Sequence, residues 1–136
     1  MLPNSEGKKV PEATFRTRQE GKWVDVSTDR IFKGRNVIVF ALPGAYTPTC
    51  STTHLPRYNE LAPVFSKHGV DEIVCLSVND PFVMNEWATA TGATGKVSVL
   101  PDWNAALTKA MGLEFDGAGA GLGTRCKRFA MLVEDG

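Results

Sequence analysis

The sequence predicts an α/β fold, a central sheet with helices on its faces, and three observations predict it. Residues 36–42 and 72–78 are apolar runs of strand length, rich in Val, Ile, Leu and Phe, which suits strands buried on both faces. Between them lies a helical stretch with Leu55, Tyr58, Leu61, Ala62 and Phe65 at three-and-four spacing. Strand and helix then alternate, which implies right-handed crossovers. The chain has 136 residues, 43% hydrophobic and 22% charged, so residues 1–136 are expected to form one domain with a sizeable core.

In chain order, residues 13–18 and 23–26 read as short strands, and residues 36–42 as the central strand, ended by Pro43-Gly44. The helix after it is predicted over 48–68 and closed by Gly69, with a kink or break at Pro56 and Pro63. Residues 72–78 form the next strand. Asp80-Pro81 is an N-cap followed by proline at the first helical position, opening a helix to about Thr91. Residues 97–100 read as a strand and 104–111 as a short helix. Residues 127–133 read as a strand with Phe129, Met131 and Val133 on one face, and Asp135-Gly136 as the start of a hairpin turn whose second strand is absent. The glycines of 117–123 do not spell G-x-G-x-x-G and follow no predicted strand, so they read as a flexible loop rather than a dinucleotide site.

Basic and acidic residues balance at 15 each, so no net field draws the chain to nucleic acid or anionic lipid. No apolar run approaches the roughly 18 residues of a membrane span, and the opening residues have no signal-peptide core. The three cysteines Cys50, Cys75 and Cys126 are widely spaced and odd in number, which fits a reducing, cytoplasmic setting better than a disulfide framework. An organelle remains an alternative if a transit peptide precedes Met1. Two histidines and scattered carboxylates offer no ligand cluster, so no metal and no other cofactor is expected.

The ligand site of an α/β sheet lies beyond the carboxyl ends of its strands, and P-G-A-Y-T-P-T-C at 43–50 occupies that place. A cysteine in a helix's first turn meets unpaired N–H groups and the positive end of the helix dipole, which favour the nucleophilic thiolate. Thr47 can set its hydroxyl beside the sulfur, while Pro43 and Pro48 fix the turn. Residue physics alone leaves Cys50 open between a reactive thiol and an inert packed one. His54, four residues on, could pair with Cys50 as in a cysteine hydrolase, but no oriented Asn or Asp partner is evident. His68, before Gly69, reads as a cation at a helix C-terminus.

Residues 43–56 (P-G-A-Y-T-P-T-C-S-T-T-H-L-P), 75–80 (C-L-S-V-N-D) and 124–133 (T-R-C-K-R-F-A-M-L-V) resemble the type II/type 5 peroxiredoxins, and the resemblance covers nearly the whole chain. It implies a thioredoxin-like fold with a central mixed sheet flanked by helices, which in the family continues through a C-terminal strand and helix expected to be missing here. It implies that Cys50 is the peroxidatic cysteine, that Thr47 orients the peroxide and that Pro43 shields the sulfur. The family's arginine precedes an aromatic in the late strand, which is Arg128 ahead of Phe129, in preference to Arg125. A guanidinium there would lower the thiol pKa and bond a peroxide oxygen as charge builds on it. The implied activity is a thiol-dependent peroxidase reducing hydrogen peroxide and small alkyl hydroperoxides through a Cys50 sulfenic acid. The alternative is a thioredoxin-fold redox sensor without fast turnover.

Cys75 reads on its own as a packing cysteine in an apolar strand. In plant-like members of the resembled family a cysteine 25 positions after the peroxidatic one resolves the sulfenic acid, and Cys75 holds that position. Reaching Cys50 would need local unfolding, since a disulfide needs Cα atoms within about 7 Å. Otherwise thioredoxin, glutaredoxin or glutathione attacks the sulfenate directly. Cys126, among Arg125, Lys127 and Arg128, reads as incidental, with cations able to depress its pKa. Trp87, Trp103, Phe82 and Tyr46 read as core or interface, and the resemblance sets residues like Tyr46 and Phe82 near a dimer contact, so a homodimer is expected.

Overall fold

The computed structural model describes residues 6–45, 55–93 and 96–136. The chain opens with a hairpin of β1 (Thr14–Gln19) and β2 (Lys22–Ser27), followed by a short helix α1 (Thr28–Phe32). Next come β3 (Asn36–Ala41), α2 (Leu55–Lys67), β4 (Glu72–Ser77), α3 (Pro81–Ala90), β5 (Ser98–Pro101) and α4 (Ala106–Ala110). A second hairpin of β6 (Glu114–Asp116) and β7 (Thr124–Cys126) precedes β8 (Phe129–Glu134). The central sheet has the order β5-β4-β3-β8. β3, β4 and β5 are parallel and β8 runs antiparallel to β3, so the sheet is mixed.

Alternation along the strands divides the core between the two faces of the sheet. Val37, Val39 and Ala41 of β3 join Val74 and Leu76 of β4 on one side, with Phe15, Phe32, Leu107 and Val133. Phe40 and Leu42 join Ile73 and Cys75 on the other, with Met84 and Trp87 of α3, and Tyr58, Ala62 and Phe65 of α2 pack over them. The two central strands are thus covered on both faces, as their unbroken apolar runs require. Phe129, Met131 and Val133 share one face of β8, opposite Ala41, Val39 and Val37.

Helix starts follow local chemistry. Asp80 accepts the Val83 N–H at 2.9 Å and Pro81 stands in the first turn of α3. Met84, Trp87 and Ala88 then turn inward at three-and-four spacing. α1 escapes the sequence reading: at five residues it has no periodicity to show, and its signal is the Ser27 Oγ that accepts the Arg30 N–H at 3.2 Å.

Two expectations are corrected. The expected break at Pro63 is absent: α2 continues through it, because the Tyr58, Ala62 and Phe65 face packs on the core and outweighs one missing N–H. The proposed start of this helix at Pro48 lies outside the described residues. The glycine-rich stretch follows a strand after all and is an ordered turn of the β6–β7 hairpin. Gly117 N–H donates to Gly123 O at 2.6 Å, and a Cβ on Gly117 would come within 3.0 Å of that oxygen and of Leu122 Cβ. Asp135 and Gly136 have φ of 49° and 77°, the left-handed pair that a type I′ turn needs.

Candidate active site

The parallel strands β3, β4 and β5 end together, and the chain leaving β3 there is the stretch that leads to Cys50. The last ladder bond is Leu42 N–H to Leu76 O at 3.3 Å. Beyond it the segment is held by side chains from two other parts of the chain. Ala45 N–H donates to Asn79 Oδ1 at 3.0 Å, and Ser77 Oγ–H donates to the same oxygen at 2.6 Å. Asn79 N–H donates back to Ser77 O at 3.0 Å, which fixes the turn between β4 and α3. The residues of 75–80 therefore have separate tasks: Cys75 and Leu76 fill the core, Ser77 and Asn79 hold the Ala45 backbone, and Asp80 caps a helix.

The second grip is Arg125 of β7. Its Nε donates to Leu122 O at 3.0 Å, and its Nη1 donates to Val78 O at 3.0 Å and to Pro43 O at 3.4 Å. The sequence reading placed Arg125 at the end of a loop and passed over it for Arg128. Its strand supplies the missing signal: Cys126 is fully buried, so alternation turns Arg125 to the opposite face. Arg128 is exposed and immediately precedes β8. Phe129 pairs with Ala41, which puts Arg128 at the level of Leu42, where β3 gives way to Pro43. The structure thus brings Pro43, Arg125, Arg128 and Asn79 to one end of the sheet. Cys50, Thr47, Tyr46 and His54 lie outside the described residues.

Cys75 is in no disulfide and has no exposed surface, and in the sheet it pairs with Phe40 and Val99. Phe40 stacks on Tyr58 of α2 with ring centroids 3.9 Å apart and planes 4° apart. Burial pushes the Tyr58 hydroxyl above its ordinary pKa, and the nearby Cys75 acts in the same direction. Cys75 accordingly lies beside Phe40 in the core cluster that Tyr58 of α2 packs against.

Cys126 does not have the depressed pKa that its neighbouring cations could have given it. Its thiol is pushed up to about 11, first by burial and further by the Asp102 carboxylate, against a lowering hydrogen bond from Thr108. Its sequence neighbours Arg125, Lys127 and Arg128 do not depress it. Sγ lies 3.3 Å from Lys127 O. Asp102 itself is 1% exposed and accepts from Leu107 N–H at 3.2 Å, Thr108 N–H at 2.8 Å and Thr108 Oγ at 2.6 Å, fixing the start of α4.

Among the other residues singled out, Trp87 is core, while Phe82 and Trp103 are exposed. His68 follows the last residue of α2, its N–H donating to Phe65 O at 3.0 Å. Among the described residues no group of three or more His, Cys, Asp or Glu is placed to hold a metal ion, and no helix is long and apolar enough to cross a membrane.

Comparison with known proteins gives this end of the sheet its context. Residues 5–136 match the Redoxin family. The chain is 54% identical over 135 residues to the hybrid peroxiredoxin hyPrx5 of Haemophilus influenzae, covering 99% of this chain and 56% of that protein. It is 40% identical to peroxiredoxin-2B of Arabidopsis thaliana, covering 99% of this chain and 84% of that one. The crystal structure of reduced Prx3 from Vibrio vulnificus in complex with hydrogen peroxide superposes with a TM-score of 0.93 at 42% identity, over 98% of this chain and 84% of that chain. With its mixed thioredoxin-like sheet and these relatives, the chain belongs to the peroxiredoxin family, thiol-dependent peroxidases, and to its type II/type 5 branch.

Proposed function

We propose that this chain reduces hydrogen peroxide and small alkyl hydroperoxides with Cys50 as the attacking thiolate. The sulfur forms a bond to the distal peroxide oxygen as the O–O bond breaks. The leaving hydroxide or alkoxide takes a proton and departs as water or alcohol, and the sulfur, oxidised by two electrons, is left as a sulfenic acid. Thr47 orients the peroxide, Pro43 shields the sulfur, and the Arg128 guanidinium stabilises both the thiolate and the charge on the leaving oxygen. The observation that carries this reading is the convergence of Pro43 and Arg128 at the carboxyl end of β3, on the strand that leads into the Cys50 segment.

Peroxiredoxins reset the sulfenic acid with thiol reductants. For this chain the full burial of Cys75 in the core it shares with Phe40 and Tyr58 supports an external thiol, from thioredoxin, glutaredoxin or glutathione, as the direct reductant. Resolution by Cys75 would first require α2 to open. The exposed Phe82 and Trp23, edge to face at 5.6 Å, support a contact between two copies of the chain, and a reducing compartment such as the cytoplasm suits Cys75 and Cys126, which are in no disulfide. Stopped-flow consumption of hydrogen peroxide with a reductant present tests the reading: Cys50→Ser should abolish it, and equal rates would sink it. A Cys75→Ser variant should still turn over with thioredoxin.

A further inference from the structure

We infer that Arg125 is a positioning residue of the peroxidase: by tying the Pro43 carbonyl to the end of β4 it sets the course of the segment that carries Cys50. The inference rests on Cys50 being the reacting thiol. Three carbonyls from three separate segments meet its side chain, Leu122 from the glycine-rich turn, Val78 from the end of β4 and Pro43 from the end of β3. A planar guanidinium with donors fixed in a fork suits such a task, whereas an ammonium is a single point of donation. Proline has no N–H, so its carbonyl is the backbone group by which Pro43 can be held by hydrogen bonding.

The glycine-rich turn acquires a task in this arrangement. The bond from Gly117 N–H to Gly123 O and the bond from Leu122 N–H to Gly117 O, at 3.0 Å, fix Leu122. The Leu122 carbonyl then orients Arg125 through Nε. Asn79 holds the other end of the same short segment at Ala45 N–H. Residues 43–45 are thus held at both ends, at Pro43 O and at Ala45 N–H, beside a permanent positive charge. Positioning errors of about 1 Å in an active site cost rate by about 10²-fold, so a loosened Pro43 should be visible in the chemistry.

The test compares wild type, Arg125→Met and Arg125→Lys, with the folded fraction of each fixed by urea melts. Two quantities are read: the second-order rate constant for hydrogen peroxide, and the pH midpoint of iodoacetamide alkylation at Cys50, followed by peptide mass spectrometry. A merely structural arginine would alter the melt but not the alkylation midpoint of the folded protein. Arg125→Met should lose about 10²-fold in the peroxide rate and shift the midpoint upward. Arg125→Lys should recover part of both, and it carries the test alone if the methionine variant does not fold. A folded variant whose rate and midpoint both equal wild type overturns the inference. If Cys50→Ser is inactive while the Arg125 variants are unaffected, this inference alone fails; if Cys50→Ser consumes peroxide like wild type, the proposed function fails with it.

Discussion

Cys126→Ala should change the pH dependence of stability in a direction set by the buried thiol. In the folded chain this thiol is raised from its ordinary 9.0 to about 11 by burial and by Asp102. Between those values the unfolded chain releases a proton that the folded chain retains, so stability present below pH 9.0 is lost as pH rises toward 11. The loss reaches about 1.4 kcal/mol at pH 10 and is limited to about 2.7 kcal/mol beyond the window. Removing the sulfur costs roughly 1 kcal/mol at neutral pH through lost packing. The variant should therefore be the less stable protein at pH 7.5 and match or exceed wild type at pH 10, as urea unfolding under reducing conditions would show. A gap between the two proteins that is equal at both pH values would refute the account of the thiol. The same shift leaves about 3 × 10⁻⁴ of Cys126 as thiolate at pH 7.5, against roughly 3 × 10⁻² for a cysteine at the ordinary 9.0, so alkylation near neutrality should spare it.

Asn79→Ala removes the acceptor shared by Ala45 N–H and Ser77 Oγ–H, and should cost about 1–3 kcal/mol in urea unfolding while slowing peroxide consumption; wild-type values for both would count against its role in holding the segment. Asp80→Ala removes the cap on Val83 N–H and should cost about 1 kcal/mol, read from the urea midpoint, with an unchanged midpoint refuting the cap. Asp102→Ala leaves two N–H groups and a hydroxyl at the start of α4 without their buried acceptor, so it should cost at least about 2 kcal/mol. It should also lower the pKa of Cys126, visible as faster alkylation of that cysteine above pH 9, and a slower reaction would contradict the carboxylate's assigned effect.

What was legible in the sequence and what was not divide by the range of the interactions. β3, β4 and α3 could be read because each is specified within its own few residues, by apolar runs and by Asp80-Pro81 at the helix start. α1, β6 and β7 could not, since elements of three to five residues are too short to show a period. The environment of Cys126 could not be read for a related reason. Its sequence neighbours are cations, but the groups that set its pKa are Asp102 and Thr108, brought to it by tertiary packing. Arg125 is the clearest case, because the carbonyls it grips lie 47 and 82 residues away along the chain. A motif marks where chemistry is concentrated, and here 43–50 stands at the sheet's carboxyl end. The groups that hold its Pro43 end in place come from the β4–α3 turn and from β7. A reading confined to the motif therefore finds its reacting groups and omits Arg125 and Asn79, whose distant contacts with Pro43 and Ala45 are what the folded sheet adds.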